Sequence, residues 1–120
     1  MFDFAERVRC AELGKTHLFS VGQAGFIIKS KRGQLLAIDL YLSNCVERVE
    51  GHVGYKRMLP NILEANELIF DCIIATHFHR DHFDVDSMKA LMDNGKTKLF
   101  AAFDCENDVD ELYIDKNRVT

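Results

Sequence analysis

Apolar residues along this chain recur with two different spacings, one typical of strands and the other of helices. Runs rich in β-branched and other apolar residues, bounded by glycine or charged residues, predict five strands. These strands are expected at residues 17–21, 26–30, 34–40, 69–76 and 98–103. Lys31-Arg32-Gly33 predicts a hairpin turn between the second and third strands. The third run is almost continuously apolar, which predicts a strand buried on both faces.

Helical spacing appears in three other segments. Residues 2–13 predict a short helix that ends near Gly14. A second helix is expected after Asp84 or Asp86, either of which can cap it. A third should open at Asp104. Residues 41–68 predict an irregular excursion with one short helix, and residues 118–120 the start of another strand. The expected class is α+β, with helices packed on one face of a sheet.

Size, composition and charge narrow the class of protein. The 120 residues suit a single domain over 1–120, and 48% hydrophobic with 28% charged residues is a globular composition. The net charge of -4 offers no basic surface for nucleic acid or for an anionic membrane, so neither is expected as a partner. Four scattered cysteines without a C-x-x-C motif predict reduced thiols and a cytoplasmic location.

Four potential metal ligands follow the fourth predicted strand directly: His77, His79, Asp81 and His82. Imidazole and carboxylate groups are ligands that borderline divalent metals prefer. In an extended loop His77 and His79 project to the same side and can grip one cation, while Asp81 and His82 address a second. Two such metals activate water for hydrolysis, and Asp81 is the candidate catalytic residue that holds this water or takes its proton. The lone His17 is expected to be incidental, as is the lone His52.

The segment 76–82, Thr-His-Phe-His-Arg-Asp-His, resembles the H-x-H-x-D-H signature of the metallo-β-lactamase superfamily. Residues 36–39 are similar to that family's strand ending in a structural aspartate, here Asp39. Residues 21–29 and 39–43 resemble the branch of L-ascorbate-6-phosphate lactonase-like proteins. The resemblance implies an αββα sandwich with two divalent metal sites, occupied by zinc or, in this branch, manganese. His77 and His79 would bind the first metal, Asp81 and His82 the second, and Asp39 would place the ligand loop.

The family completes its site with a later histidine, a bridging aspartate and a final histidine. Residues 83–120 contain no histidine. Helix capping explains Asp104, and a solvated surface position is expected for Asp108, Asp110 and Asp115. The resemblance therefore implies only the N-terminal half of the fold, with weak metal binding and little hydrolysis by this chain alone. An apolar sheet face left uncovered would favour a homo-oligomer.

The leading functional hypothesis is a metal-dependent hydrolase. It would open a lactone, or cleave an ester or phosphoester, in a small-molecule substrate by attack of a metal-bound hydroxide. Lys56, Arg57 and Lys89 are candidates to steer an anionic substrate, although surface charge alone explains them. No cysteine nucleophile is indicated. The alternative is a non-catalytic protein, a truncated remnant or assembly module with a structural histidine loop. A nuclease of the same superfamily is disfavoured by the acidic charge.

Overall fold

The computed structural model describes residues 3–51 and 54–120, which form one five-stranded sheet with short helices. The α+β class is confirmed. In chain order the elements are α1 (Phe4–Cys10), β1 (His17–Gly22), β2 (Gly25–Lys29), β3 (Leu35–Ile38), α2 (Cys45–Glu50), β4 (Cys72–Ala75), α3 (Met88–Met92), β5 (Lys98–Ala101) and α4 (Glu106–Glu111). Two 3-10 turns, Phe103–Cys105 and Lys116–Arg118, flank α4.

The topology of the sheet determines which loops meet. The strands lie in the order β1-β2-β3-β4-β5. The first three are antiparallel, whereas β4 is parallel to β3, and β5 to β4. The carboxyl ends of β3, β4 and β5 therefore lie at one edge of the sheet. Segments that follow these strands come together there, as in other sheets with parallel strands.

One face of the sheet is buried under the helices. Ile27, Ala37, Ile73 and Leu99 each contribute one fully buried side chain from β2, β3, β4 and β5. They belong to a single core cluster with apolar residues of the helices, namely Ala5 and Val8 of α1, Met88 and Leu91 of α3 and Val109 of α4. Helices on one face of the sheet are what the pattern of apolar positions predicts.

Lys29 is a buried cation on this inner face, with only 5% of its surface exposed. Its Nζ donates hydrogen bonds to the backbone carbonyls of Val8, Arg9 and Ala11, at 2.9, 2.8 and 3.0 Å. The last carbonyls of a helix have no partner within the helix and form its negative end. Lys29 therefore caps α1 from the sheet and attaches the N-terminal segment to β2.

The other face of the sheet carries exposed apolar side chains. Strand register places Phe26, Ile38, Ile74 and Phe100 in one row across four strands. Phe26 and Phe100 are 39% and 43% exposed, and Leu18 of β1 is 66% exposed. The described residues contain no element that covers this row. We refer to it, together with Leu18, as the outer face.

Several expectations need correction. The third strand is not buried on both faces, because Leu36 and Ile38 remain partly exposed on the outer face. Helix α1 is shorter than residues 2–13. Only a single parallel bridge, between Leu99 and Val119, represents the strand expected at 118–120. The predicted short helix in the 41–68 excursion is confirmed as α2. Phe2 and His52 lie outside the described residues.

The predicted capping by Asp84 is found at the turn that leads into α3: its Oδ1 accepts a hydrogen bond from the Asp86 N–H at 3.1 Å, and its carbonyl accepts one from the Met88 N–H at 2.9 Å. Ser87 precedes the helix and makes no side-chain capping bond. Asp84 is fully buried, and its Oδ2 accepts hydrogen bonds from the backbone N–H groups of Leu42 and Ser43, both at 2.9 Å. Its Oδ1 accepts one from the Ser43 hydroxyl at 2.7 Å. Asp84 thus fastens the loop after β3 to the segment that leads into α3.

No helix of the described ranges is long and apolar enough to cross a bilayer.

Asp71 joins three segments at the opposite edge of the sheet. Its Oδ2 accepts a hydrogen bond from the Leu35 N–H at 2.8 Å, and its Oδ1 lies 3.2 Å from Lys96 Nζ. The Leu35 hydrogen bond lowers the pKa of Asp71 from its ordinary value. Partial burial opposes this effect and Lys96 adds to it.

We expect Asp71→Asn to be less stable than the wild type at pH 7. The pKa of Asp71 is lower in the folded state, so its contribution is present above the unfolded pKa and is lost as pH falls through the folded pKa. The difference between the two proteins should therefore shrink under acid, as measured by urea unfolding from pH 7 down to pH 3. Asp93→Asn, at an exposed position, is the control. A difference independent of pH would contradict the assignment.

Candidate metal centre

The histidine loop, residues 76–83, leaves the carboxyl end of β4 and turns at once. The His79 carbonyl accepts hydrogen bonds from the N–H groups of His82 and Phe83, at 2.8 and 2.7 Å. The expectation of an extended loop is therefore wrong. The helix-like turn carries His82 back toward His77, whereas in an extended loop these two side chains would point away from each other.

The turn brings the predicted ligands into one cluster. The ring centroids of His77 and His82 lie 4.0 Å apart, and those of His77 and His79 lie 4.7 Å apart. Asp81 Oδ1 is 3.7 Å from His82 Nε2. His79 is exposed, while His77, Asp81 and His82 are partly buried. All four side chains named from the sequence are thus neighbours at one edge of the sheet.

Asp39, directly after β3, connects that strand to the histidine loop. Its Oδ1 accepts a hydrogen bond from the Thr76 N–H at 2.8 Å. Its Oδ2 accepts one from the Thr76 hydroxyl at 2.7 Å and one from His82 Nδ1 at 2.9 Å. Burial on its own would raise the pKa of Asp39, but the hydrogen bonds from His82 and Thr76 outweigh it and the pKa is lowered. Asp39 is therefore an ionised carboxylate at neutral pH, held among three donors.

The backbone at Asp39 is as constrained as its side chain. Its φ of 50° is in the left-handed region, where aspartate is better tolerated than most residues. Its N–H donates to the Ile74 carbonyl of β4 at 2.9 Å. A Cβ atom at Gly25 would lie 3.1 Å from the Asp39 carbonyl oxygen, so a side chain there would crowd this turn. Gly25 thus leaves room for the backbone that aims the carboxylate.

The hydrogen bonds determine which ring nitrogens carry protons. The single hydroxyl proton of Thr76 goes to Asp39, so the Thr76 oxygen accepts from His77 Nδ1, at 3.0 Å. His82 Nδ1 must likewise donate, because a carboxylate can only accept. In neutral His77 and His82 the lone pair then lies on Nε2. In metal-binding histidines, one ring nitrogen usually binds the metal and the other donates a hydrogen bond that fixes the tautomer and the orientation of the ring.

The donors fit a divalent metal in kind, but their arrangement is not that of a closed ligand set. No three donor side chains among the described residues are placed so that they could hold one ion. The rings of His77 and His82 meet at 39°, partly face to face, instead of aiming their nitrogens at a common point. Imidazole nitrogens with free lone pairs beside a carboxylate nevertheless suit zinc or manganese.

Arg80, in the middle of the signature, anchors the loop to α4. Its Nη1 lies 2.8 Å from Asp108 Oδ2. Asp108 is 8% exposed, so the solvated surface position expected for it is wrong. On the other side, the Cys45 thiol donates to the Arg80 carbonyl at a sulfur–oxygen distance of 3.4 Å. Burial raises the pKa of Cys45 to about 12, and the neutral thiol is no nucleophile.

Two of the three candidate steering cations hold the backbone instead. Arg57 donates through Nη1 to the carbonyls of Tyr41 and Ser43, at 2.8 and 3.0 Å. Lys89 Nζ donates to the Leu112 carbonyl at 3.0 Å, near the end of α4. Arg57 is partly buried, whereas Lys89 and Lys56 are both exposed.

A cavity of about 460 Å³ opens beside the loop. His79 and Asp81 lie on one side of it, and Val49 of α2 and Tyr55 lie on another. Its size is within the range of small-molecule sites in proteins. The cluster of predicted ligands therefore has a neighbouring space into which a substrate could fit.

The chain is similar in sequence to a known protein. The chain is 33% identical over 97 residues to a protein of Myxococcus xanthus (strain DK1622) named "UPF0173 metal-dependent hydrolase". The similarity covers 81% of this chain, which spans 29% of the length of that protein. No protein-family model matches the sequence.

Replacing the central carboxylate should loosen the loop. Asp39→Asn tolerates the same backbone conformation, but its amide cannot accept all three hydrogen bonds. We expect a loss of roughly 1–3 kcal/mol in the free energy of unfolding, the usual contribution of hydrogen bonds to a charged group. Asp93→Asn should change it by less than about 0.5 kcal/mol, as exposed substitutions do. Equal stability of both variants in urea unfolding would refute the role given to Asp39.

Proposed function

We propose that this chain supplies the metal-binding part of a metal-dependent hydrolase of the metallo-β-lactamase superfamily. The observation that carries the proposal is the hydrogen-bond network of Asp39, which orients His77 and His82 with their Nε2 lone pairs unused. The name of the Myxococcus relative, a metal-dependent hydrolase, supports the same class. We extend to this chain the αββα architecture and the lactonase-like branch on resemblance alone.

In this proposal His77 and His79 bind one divalent metal, and Asp81 and His82 bind a second. Zinc and manganese both suit these ligands. When bound, such metals polarise the substrate and lower the pKa of water. Asp39 keeps the two imidazoles in the tautomer that a metal requires. Asp81, at the wall of the cavity, orients the attacking water and accepts its proton. The substrate is a small molecule with a lactone, ester or phosphoester bond.

A structural histidine loop is the second candidate. It is favoured by the rings that pack against each other and by the absence of a closed three-donor set among the described residues. In that case the Asp39 network would serve to stabilise the fold, and the chain would be a non-catalytic or assembly module. The two candidates differ in what removal of a single imidazole does.

Metal titration of histidine variants separates these candidates. We expect His77→Ala and His79→Ala to lower the affinity for zinc and manganese by at least about tenfold, since loss of even an outer partner of a ligand costs about 10–100-fold. The fold should persist, as judged by circular dichroism. His17→Ala is the matched control, because His17 stacks on Phe19 and lies in β1. Affinity is measured by calorimetry, with ester and phosphoester turnover measured in parallel.

The outcomes separate clearly. Lost metal with an intact fold supports the metal centre. Metal binding unchanged in both variants, or absent from the wild type, contradicts it. Unfolding of the metal-free variants supports the structural loop.

We also propose that the outer face is an interface between two copies of this chain. The row Phe26, Ile38, Ile74 and Phe100 forms a continuous apolar strip across four strands. Exposed strips of this kind mark interaction sites more often than ordinary surface. The net charge of -4 is small enough that repulsion between copies would be weak at physiological salt.

We expect Phe26→Glu to shift a dimer toward monomer, because it places a charge in the centre of the apolar strip. The distribution is measured by analytical ultracentrifugation over a range of concentrations. Leu13→Glu, at an exposed apolar position outside the sheet, should leave it unchanged. A wild-type protein that remains monomeric throughout would refute the interface.

A further inference from the structure

We propose that the cavity beside His79 and Asp81 binds an uncharged, apolar group of the substrate and discriminates against anionic groups. The proposal rests on the proposed function only in calling the bound molecule a substrate. It concerns the walls of the cavity, which belong to the protein itself.

The apolar side chains of the cavity wall are about half exposed to solvent, so a bound ligand can bury their surface. Val49, Tyr55 and Phe78 line the cavity, and 47%, 48% and 45% of their surfaces are exposed. Val46 of α2 lines it as well. Two aliphatic and two aromatic side chains around one opening suit an aromatic or branched apolar group, because burying apolar surface is the main favourable term in binding such groups.

The charges on the wall disfavour an anion. Glu50 and Asp81 contribute carboxylates, and Arg80 is the one cation among the described lining residues. The guanidinium of Arg80 is paired with the buried carboxylate of Asp108 at 2.8 Å. The positive charge is therefore balanced within the protein and is not available to a phosphate or carboxylate.

Arg57 is not among the described residues that line the cavity. Arg57 is held by the carbonyls of Tyr41, Ser43 and Leu59. In the metal-free protein, an anionic group entering the cavity would meet the carboxylates of Glu50 and Asp81. The apolar wall favours a substrate with an apolar substituent, whichever of the bonds proposed above is cleaved. In the metal-free protein we expect a phosphate group to bind this cavity weakly.

The test compares two probes of similar shape with the metal-free full chain in the presence of a chelator. Benzyl alcohol is neutral, and phenyl phosphate is an anion. Binding is followed by amide chemical shifts in proton–nitrogen NMR spectra. We expect benzyl alcohol to shift the amides of Val49, Tyr55 and Phe78 and to bind about fivefold more tightly than phenyl phosphate, the effect of one close repulsive contact in a water-like dielectric.

Three variants test the two parts of the claim. Val49→Asp should weaken benzyl alcohol binding by about fivefold, since it puts a charge on the apolar wall. Phe103→Ser, at a 91% exposed position outside the cavity, should leave it unchanged. Asp108→Asn frees the charge of Arg80 and should strengthen phenyl phosphate binding without affecting benzyl alcohol. If Asp108→Asn does not fold, Val49→Asp and the two probes still decide the question.

Phenyl phosphate binding as tight as benzyl alcohol binding in the wild type would overturn the proposal, as would a failure of both probes to bind at these residues. Because no metal is present, the result is independent of the metal titration. A cavity that selects benzyl alcohol in a chain that binds no metal would leave this proposal standing while the hydrolase proposal falls. A chain that binds metal but whose cavity does not select benzyl alcohol would support the hydrolase proposal and contradict this one.

Discussion

The buried carboxylate of Asp39 is the interaction on which the candidate site depends. It accepts hydrogen bonds from the Thr76 backbone, the Thr76 hydroxyl and His82. Through the hydroxyl it also reaches His77. One charge thus fixes the entry of the histidine loop, the orientation of two rings and the nitrogen on which each carries its proton. A charge buried to this extent is stabilised by these three hydrogen bonds.

The sheet supplies the position that Asp39 needs. Parallel pairing of β3 with β4 places the residues after both strands at one edge, where Asp39 and Thr76 meet. Additional contacts brace that edge from outside the cluster. Asp84 holds the loop after β3, and Asp108 holds Arg80 in the histidine loop. These are polar contacts between segments distant in sequence, so the site is stabilised by tertiary structure more than by the short helices around it.

Much of the fold could be predicted from the sequence, because the apolar periodicities of strands and helices involve residues close together in the chain. The five apolar runs became the five strands, and the histidine cluster was visible as clustered donors after a buried run. The misses share a physical cause. Asp84 and Leu42 are 42 residues apart in sequence, and nothing local marks such a partner. Asp108 resembled a surface aspartate for the same reason. The turn at His79 depends on backbone hydrogen bonds, which the pattern of side chains does not predict.

The charges around the histidine loop and the neighbouring cavity bear on the proposed reaction. The cluster of candidate ligands places imidazoles beside a carboxylate, while Arg80 in the wall of the neighbouring cavity is paired with Asp108. In the proposed enzyme, bound metal would supply positive charge at the reaction centre. The protein contributes orientation at the loop and an apolar wall beside it.

The tautomers of His77 and His82 in the metal-free protein test the central claim most directly. Long-range proton–nitrogen NMR spectra of the imidazole rings distinguish a proton on Nδ1 from one on Nε2. The Asp39 network predicts the Nδ1–H form for both residues at a pH where the rings are neutral. An Nε2–H form for His82, or for both rings, would contradict it, since Asp39 and Thr76 could then not receive the hydrogen bonds described.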